Sequence, residues 1–207
     1  MTHTVGIFIF DEIEVLDLGG PFEVFSVASR VKAKLKPGSP PPFDVFTVGE
    51  TTDTVRARGG LAVVPRFSFA NHPAIDVVVI PGGVVKAELG KEHVIRWIAD
   101  TAAQAKIIAS VCTGACLLAK TGLLDGKRAT THWDDIEDMQ SMFPKVRVET
   151  GVRWVEQGNI ITSAGISAGM DMSVHLVSRL ESEQLATATA KQMDYRCFTF
   201  SNDHSRT

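Results

Sequence analysis

The chain has 207 residues, 44% of them hydrophobic and 22% charged, with a formal net charge of −3. This fits one globular domain over residues 1–207 with a sizeable core, and it excludes intrinsic disorder. The weak negative charge has no block of one sign, no apolar run approaches the roughly 20 residues that span a bilayer, and the start Met1-Thr2-His3-Thr4 lacks a signal-peptide pattern, so neither nucleic acid nor a membrane is an expected partner. Three cysteines form no disulfide framework, which points to reduced thiols and a cytoplasmic setting.

Residues 5–10 read as a continuous apolar strand. The segment 11–20 reads as the connection after it. Residues 21–35 predict an amphipathic helix anchored by Phe22, Phe25, Val31 and Leu35, with Pro21 as its first residue. The breaker-rich run Pro37-Gly38-Ser39-Pro40-Pro41-Pro42 is a surface loop, followed by a strand at 43–48. Residues 55–64, with Gly59-Gly60, predict a small hairpin. Residues 76–80 predict a buried strand ending in Pro81-Gly82-Gly83. A helix at 93–104 precedes a strand at 106–111 that runs into Cys112.

In the second half, residues 133–142 predict a helix, and 146–149, 152–156 and 160–163 predict strands. One long helix is expected over 167–193. The alternation of buried strands with helices predicts an α/β fold whose mostly parallel sheet is covered on both faces. In such sheets the ligand crevice lies beyond the carboxyl ends of the strands, where segments 11–20, 81–83 and 112–114 should converge.

The most informative segment is Ile107-Ile108-Ala109-Ser110-Val111-Cys112-Thr113-Gly114-Ala115-Cys116. A cysteine at an abrupt strand-to-helix corner presents its thiol beside backbone N–H groups, and the helix start is expected to lower its pKa. The alternative is a buried cysteine acting as a small hydrophobe. Asp17, between Leu16 and Leu18, is the favoured carboxylate, with a raised pKa and a general-acid role; Asp11, Glu12 and Glu14 read as solvated. Gly82 and Gly83 offer N–H groups for an oxyanion, though such a pair is more often only a turn. His132 reads equally as a base or substrate donor and as a structural histidine beside Trp133. Thr113 either hydrogen-bonds a thiolate or water, or caps the helix. Cys116 reads as core, and Cys197 as inert. The sequence shows no metal-ligand spacing, P-loop or dinucleotide fingerprint, so no metal or cofactor is expected.

The motifs Val5-Gly6-Ile7-Phe8-Ile9-Phe10, Leu16-Asp17-Leu18-Gly19-Gly20-Pro21, Val79-Ile80-Pro81-Gly82-Gly83, Ser110-Val111-Cys112-Thr113-Gly114, residues 122–133 and residues 162–171 resemble the ThiJ/PfpI branch of the class I glutamine-amidotransferase-like superfamily. The resemblance runs in order over nearly the whole chain. It implies a flavodoxin-like sandwich, a homodimer, a nucleophile-elbow cysteine at Cys112, and an acidic partner four residues before a proline, here Asp17 before Pro21. Within the branch, the Asp and the Thr after the cysteine resemble the isocyanide hydratases, which tend to have Thr where this chain has Gly19. A similar domain forms the N-terminal half of AraC-type regulators; the end at Thr207 is expected to leave no room for their helix-turn-helix domain.

Three readings of a small-molecule site follow. In the first, Cys112 adds to an isocyanide and the resulting thioimidate hydrolyses to an N-substituted formamide. In the second, the same thiol attacks an α-oxoaldehyde, with His132 moving the proton, as in a glyoxalase. The third is non-enzymatic, a redox-sensing or binding protein whose thiol oxidises readily.

Overall fold

A computed structural model describes residues 1–197; residues 198–207 of the expected domain lie outside it. Its centre is a seven-stranded sheet in the order β10-β11-β7-β6-β1-β2-β5, formed by β1 (His3–Phe8), β2 (Phe43–Gly49), β5 (Phe67–Ser68), β6 (Val77–Ile80), β7 (Ile107–Val111), β10 (Trp154–Gln157) and β11 (Ile160–Ser163). All pairings are parallel except the edge hairpin of β10 and β11. The central strands are apolar and buried throughout, as a parallel sheet covered on both faces requires: every residue of β6 and β7 is buried. Helices α1 (Val15–Leu35), α6 (Ala168–Leu180) and α7 (Glu183–Gln192) pack together, and α2 (Lys86–Leu89), α3 (Glu92–Gln104) and α4 (Gly114–Lys120) pack with one another. The expected α/β sandwich is therefore present. Among the described residues no helix is long and apolar enough to cross a membrane.

Three expectations need correction. The first helix begins at Val15, not Pro21. Its first turn closes through Asp17 N–H and Leu18 N–H onto the Glu14 carbonyl (3.1 and 3.4 Å). Pro21, with no N–H, leaves only the Asp17 carbonyl without its i+4 donor, a loss the packed helix absorbs. Gly20 lets α6 come close, since a Cβ there would lie 2.8 Å from Met170 Cγ. The expected long last helix is two, broken before Ser182, whose side chain caps α7 by accepting from Leu185 N–H (3.2 Å). The helix expected at 133–142 starts as a 3₁₀ turn, Trp133–Asp135, and becomes α5 (Ile136–Met142).

The predicted small hairpin is present as β3 (Val55–Arg56) and β4 (Ala62–Val63), apart from the main sheet. The strand expected at 146–149 pairs outside the main sheet too, as β9 (Arg147–Val148) against β8 (Arg128–Ala129). β8, β5 and α2, of two to four residues each, are too short for sequence periodicity to reveal.

Candidate active site

The central strands β7, β6 and β1 are neighbours, so the segments leaving their carboxyl ends meet. Cys112 follows β7 directly and sits at φ +55°, in the left-handed region that a side chain adopts at a cost of about 1–2 kcal/mol. The turn is held from three directions. Cys112 N–H donates to the Ser163 carbonyl (3.1 Å), while the Cys112 carbonyl accepts from Ala115 N–H (3.2 Å) and from the Thr131 hydroxyl (2.9 Å). Such bracing keeps a strained strand-to-helix corner in place.

Asp17, in the first turn of α1, is fully buried. Its Oδ2 accepts from Gly82 N–H (3.1 Å), and its Oδ1 has no hydrogen-bond partner of regular geometry. The Cys112 thiol, a weak donor, lies beside the carboxyl and interacts with it. Burial pushes the Asp17 carboxyl up to about 7; the Gly82 N–H opposes this, Glu14 adds to it, and the thiol contact lowers it. Burial thus outweighs the helix start, which by itself favours carboxylate. The direction is the one the apolar flanks of Asp17 predict.

The thiol shifts opposite to the expected lowering. Burial first and the Asp17 charge second push the Cys112 thiol up to about 12, against the Thr113 N–H, which favours thiolate. A helix of one to two turns cannot offset the loss of water together with a neighbouring carboxylate. Cys116 is core, as expected, and burial pushes it too up to about 12.

The glycine N–H groups are also placed differently from expectation. Gly82 N–H is used by Asp17, and Gly83 N–H donates to the Thr113 hydroxyl (2.9 Å). They are not a free oxyanion pair; they hold the Asp17 carboxyl and the Thr113 hydroxyl. The Thr113 hydroxyl proton has two acceptors in reach, the Gly83 carbonyl (2.9 Å) and the Cys112 sulfur. Thr113 makes no side-chain capping bond to α4. Gly82 must be glycine, because a Cβ there would lie 2.6 Å from Thr113 N and 2.9 Å from Cys112 Cβ.

Cys112, Thr113, Gly83 and His132 line one cavity of about 580 Å³. Several of its walls come from residues that the sequence does not single out. Glu14, read as solvated, forms an ion pair with Arg58 (3.3 Å) at the rim. Asp135 also lines the cavity and reaches His132 Nδ1 (3.3 Å). Val85, Leu89 and Ile166 supply apolar wall. A signal existed for Asp135, three residues after His132; none existed for Arg58, which the small hairpin delivers. No group of three or more His, Cys, Asp or Glu among the described residues is gathered for a metal.

Cys112 is the one of these three cysteines that lines the cavity. Iodoacetamide labelling read by peptide mass spectrometry is expected to modify Cys112 before Cys116 and Cys197. The reverse order would remove the active-site assignment.

A family model described as the DJ-1/PfpI family matches residues 3–179. An isonitrile hydratase from Pseudomonas putida is 33% identical over 196 residues, which cover 94% of this chain and 79% of that one. The HTH-type transcriptional regulator GbdR of Pseudomonas aeruginosa is 29% identical over 205 residues, 99% of this chain and 54% of the regulator. A crystal structure of a THiJ/PfpI family protein from Pseudomonas syringae superposes with a TM-score of 0.83 at 28% identity, covering 99% of this chain and 80% of that one.

Proposed function

The chain belongs to the DJ-1/PfpI family, and we propose that it hydrates isocyanides to N-substituted formamides through a covalent adduct on Cys112. The observation that supports this most is the pair formed by a fully buried carboxyl, held near pKa 7, and a thiol on a left-handed elbow beside it. Between about 7 and about 12 this pair holds one proton. When that proton sits on Asp17, the sulfur is a thiolate and the acid is loaded in the same microstate.

The thiolate attacks the terminal carbon of R–N≡C, forming the C–S bond. Asp17 protonates that carbon, giving the thioimidate Cys–S–CH=N–R and an Asp17 carboxylate. Water then adds to the C=N bond, and the adduct collapses to the formamide as the sulfur leaves. Splitting one difficult addition into two steps is the usual gain of covalent catalysis. The likeness to the Pseudomonas putida isonitrile hydratase supports the same reading. Position 19 differs from the hydratase pattern, yet an added Cβ at Gly19 meets nothing within 4 Å, so nothing in the packing opposes a larger residue there.

Incubation with cyclohexyl isocyanide, followed by mass spectrometry, is expected to yield the formamide with wild-type protein and none with Cys112→Ala. Equal yields would overturn the proposal. Because the reactive microstate requires loss of one proton from the pair, kcat/KM is expected to rise with pH through about 7 and then level. A rate falling across that range would assign Asp17 a different role. The likeness to GbdR supports a second reading, a ligand-sensing domain. In that case isocyanide turnover is absent and Cys112→Ala leaves ligand binding intact.

A further inference from the structure

An isocyano group is small, yet the cavity at Cys112 measures about 580 Å³, inside the range of roughly 300–1,000 Å³ that encloses drug-sized ligands. Most of its wall therefore faces whatever the nitrogen carries. One wall is continuous with the elbow. It starts at Gly83, whose N–H and carbonyl both meet the Thr113 hydroxyl (2.9 Å each), and passes through Val84 and Val85 to Leu89. Val84 N–H donates to the Glu12 carbonyl (3.0 Å) and Leu89 N–H to the Val85 carbonyl (2.9 Å), so this wall is held along its length.

Met142 and Ile166 belong to the side that carries His132. Gly165, next to Ile166, lies so close to the His132 ring that an added Cβ would be 1.9 Å from its Cδ2, and Met142 ends α5, which follows the 3₁₀ turn at Trp133. Among the described residues nine large apolar side chains are exposed, and Val84, Met142 and Ile166 (48, 51 and 37% exposed) are three of them. A fourth, Trp133, sets its ring 5.3 Å from that of His132. Scattered apolar residues are ordinary on a surface, whereas a group gathered at one cavity marks a ligand site. The acids Glu14, Asp134 and Asp135 outnumber the cations Arg58 and Lys86 in the lining, so an anion gains no net attraction on entry. The apolar walls disfavour a charge of either sign.

We infer that the substrate is an isocyanide whose nitrogen carries an extended, neutral alkyl or aryl group, and that Leu89 and Met142 select for it, an assignment that rests on the hydratase reading above. With the terminal carbon on the Cys112 sulfur, the nitrogen substituent extends into the cavity, because the fully buried Asp17 closes the other side. Leu89 offers it a half-buried branched surface, and Met142 a flexible thioether that adapts to chains of different shape. These contacts are remote from the reacting atoms and equal in substrate and transition state. They therefore lower KM and leave kcat in place.

Steady-state kinetics on ethyl, butyl, hexyl and octyl isocyanide test it, with formamide followed by mass spectrometry. From ethyl to hexyl, kcat/KM is expected to rise by up to about fourfold per added methylene, the gain that burying one CH₂ supplies, and to do so through KM. Isocyanohexanoate with its isocyano group at the far end, matched in length to hexyl isocyanide, should fall about tenfold or more below it, since its carboxylate must leave water. Leu89→Ala and Met142→Ala should each cut the hexyl-to-ethyl ratio of kcat/KM by roughly three- to tenfold, and Leu89→Met, which keeps the volume, should retain it. A flat series in a wild type that turns over ethyl isocyanide overturns the assignment and leaves the hydratase reading standing. A carboxylate that outruns hexyl isocyanide does the same. Unchanged ratios in both alanine variants also overturn it; a smaller mass by light scattering in those variants would then identify the apolar set as an interface between copies of this chain. A wild type that forms no formamide from any member of the series overturns the hydratase reading and this assignment together.

Discussion

Asp17→Asn is expected to cut formamide turnover by roughly 10²–10⁴-fold while making Cys112 a better nucleophile toward iodoacetamide. The two effects point in opposite directions because Asp17 acts on the thiol in two ways. Its carboxylate charge is the second largest reason, after burial, that the thiol is pushed up to about 12. Asparagine removes that charge, so more thiolate exists at pH 8 and alkylation quickens. Asparagine keeps an oxygen for Gly82 N–H, so the loop geometry persists. It has no acidic proton, so the carbon that the thiolate attacks has no donor. Slower alkylation together with slower turnover would mean that the variant disturbs the elbow, and near-normal turnover would place the acid elsewhere. Parallel rate measurements on one protein preparation separate these outcomes.

The same substitution has a stability signature. The folded state holds the Asp17 proton up to about pH 7, whereas the unfolded chain releases it near 3.8. The folded form therefore binds more protons over that interval, and the group's contribution to stability is intact below about 3.8 and lost as pH rises through about 7. The shift corresponds to a loss of at most on the order of 4 kcal/mol at alkaline pH. Asp17→Asn, which has no charge to bury, should melt higher than wild type at pH 8 and no higher at pH 4. A wild-type advantage at pH 8 would show that the carboxylate, and not the acid, is the form the fold accommodates.

Much of this site was legible in the sequence because its residues lie at strand ends. Buried apolar runs mark β1, β6 and β7, and the rule that ligands gather at carboxyl ends brings Asp17, Gly82, Gly83 and Cys112 together from sequence alone. Asp17 between two leucines also signalled burial correctly. The start of α1 was hidden by Pro21, a residue that looks like a helix beginning yet sits inside this one. The hydrogen bonding of the glycines was out of reach, since which N–H meets which acceptor depends on tenths of an ångström. The thiol shift was misread because local sequence shows the helix start and hides the loss of solvent. Arg58 and Asp135 escaped because the predicted hairpin and helix that carry them do not say which of their side chains reach the cavity.

Two glycine-to-alanine substitutions in one chain are expected to move stability in opposite directions. At Gly114, the first residue of α4, a Cβ would lie 2.0 Å from the Ile80 carbonyl oxygen and 2.7 Å from that of Pro81. Both obstacles are backbone, so no rotamer change relieves them, and either α4 or the end of β6 must move. Overpacking against side chains costs typically 1–3 kcal/mol, and a clash with the main chain exceeds that range. Gly114→Ala should therefore lose about 3 kcal/mol or more, a fall in Tm of at least roughly 6–12 °C for a domain of this size. Because the shift occurs two residues after Cys112, turnover should fall with it. At Gly19 a Cβ meets nothing within 4 Å and the backbone is helical, so alanine gains about 0.5–1 kcal/mol from the unfolded chain's lost freedom. Thermal melts of the two variants side by side decide the matter. If Gly114→Ala melts with wild type, the close seating of the elbow against β6 is wrong, and with it the geometry that sets Cys112 beside Asp17.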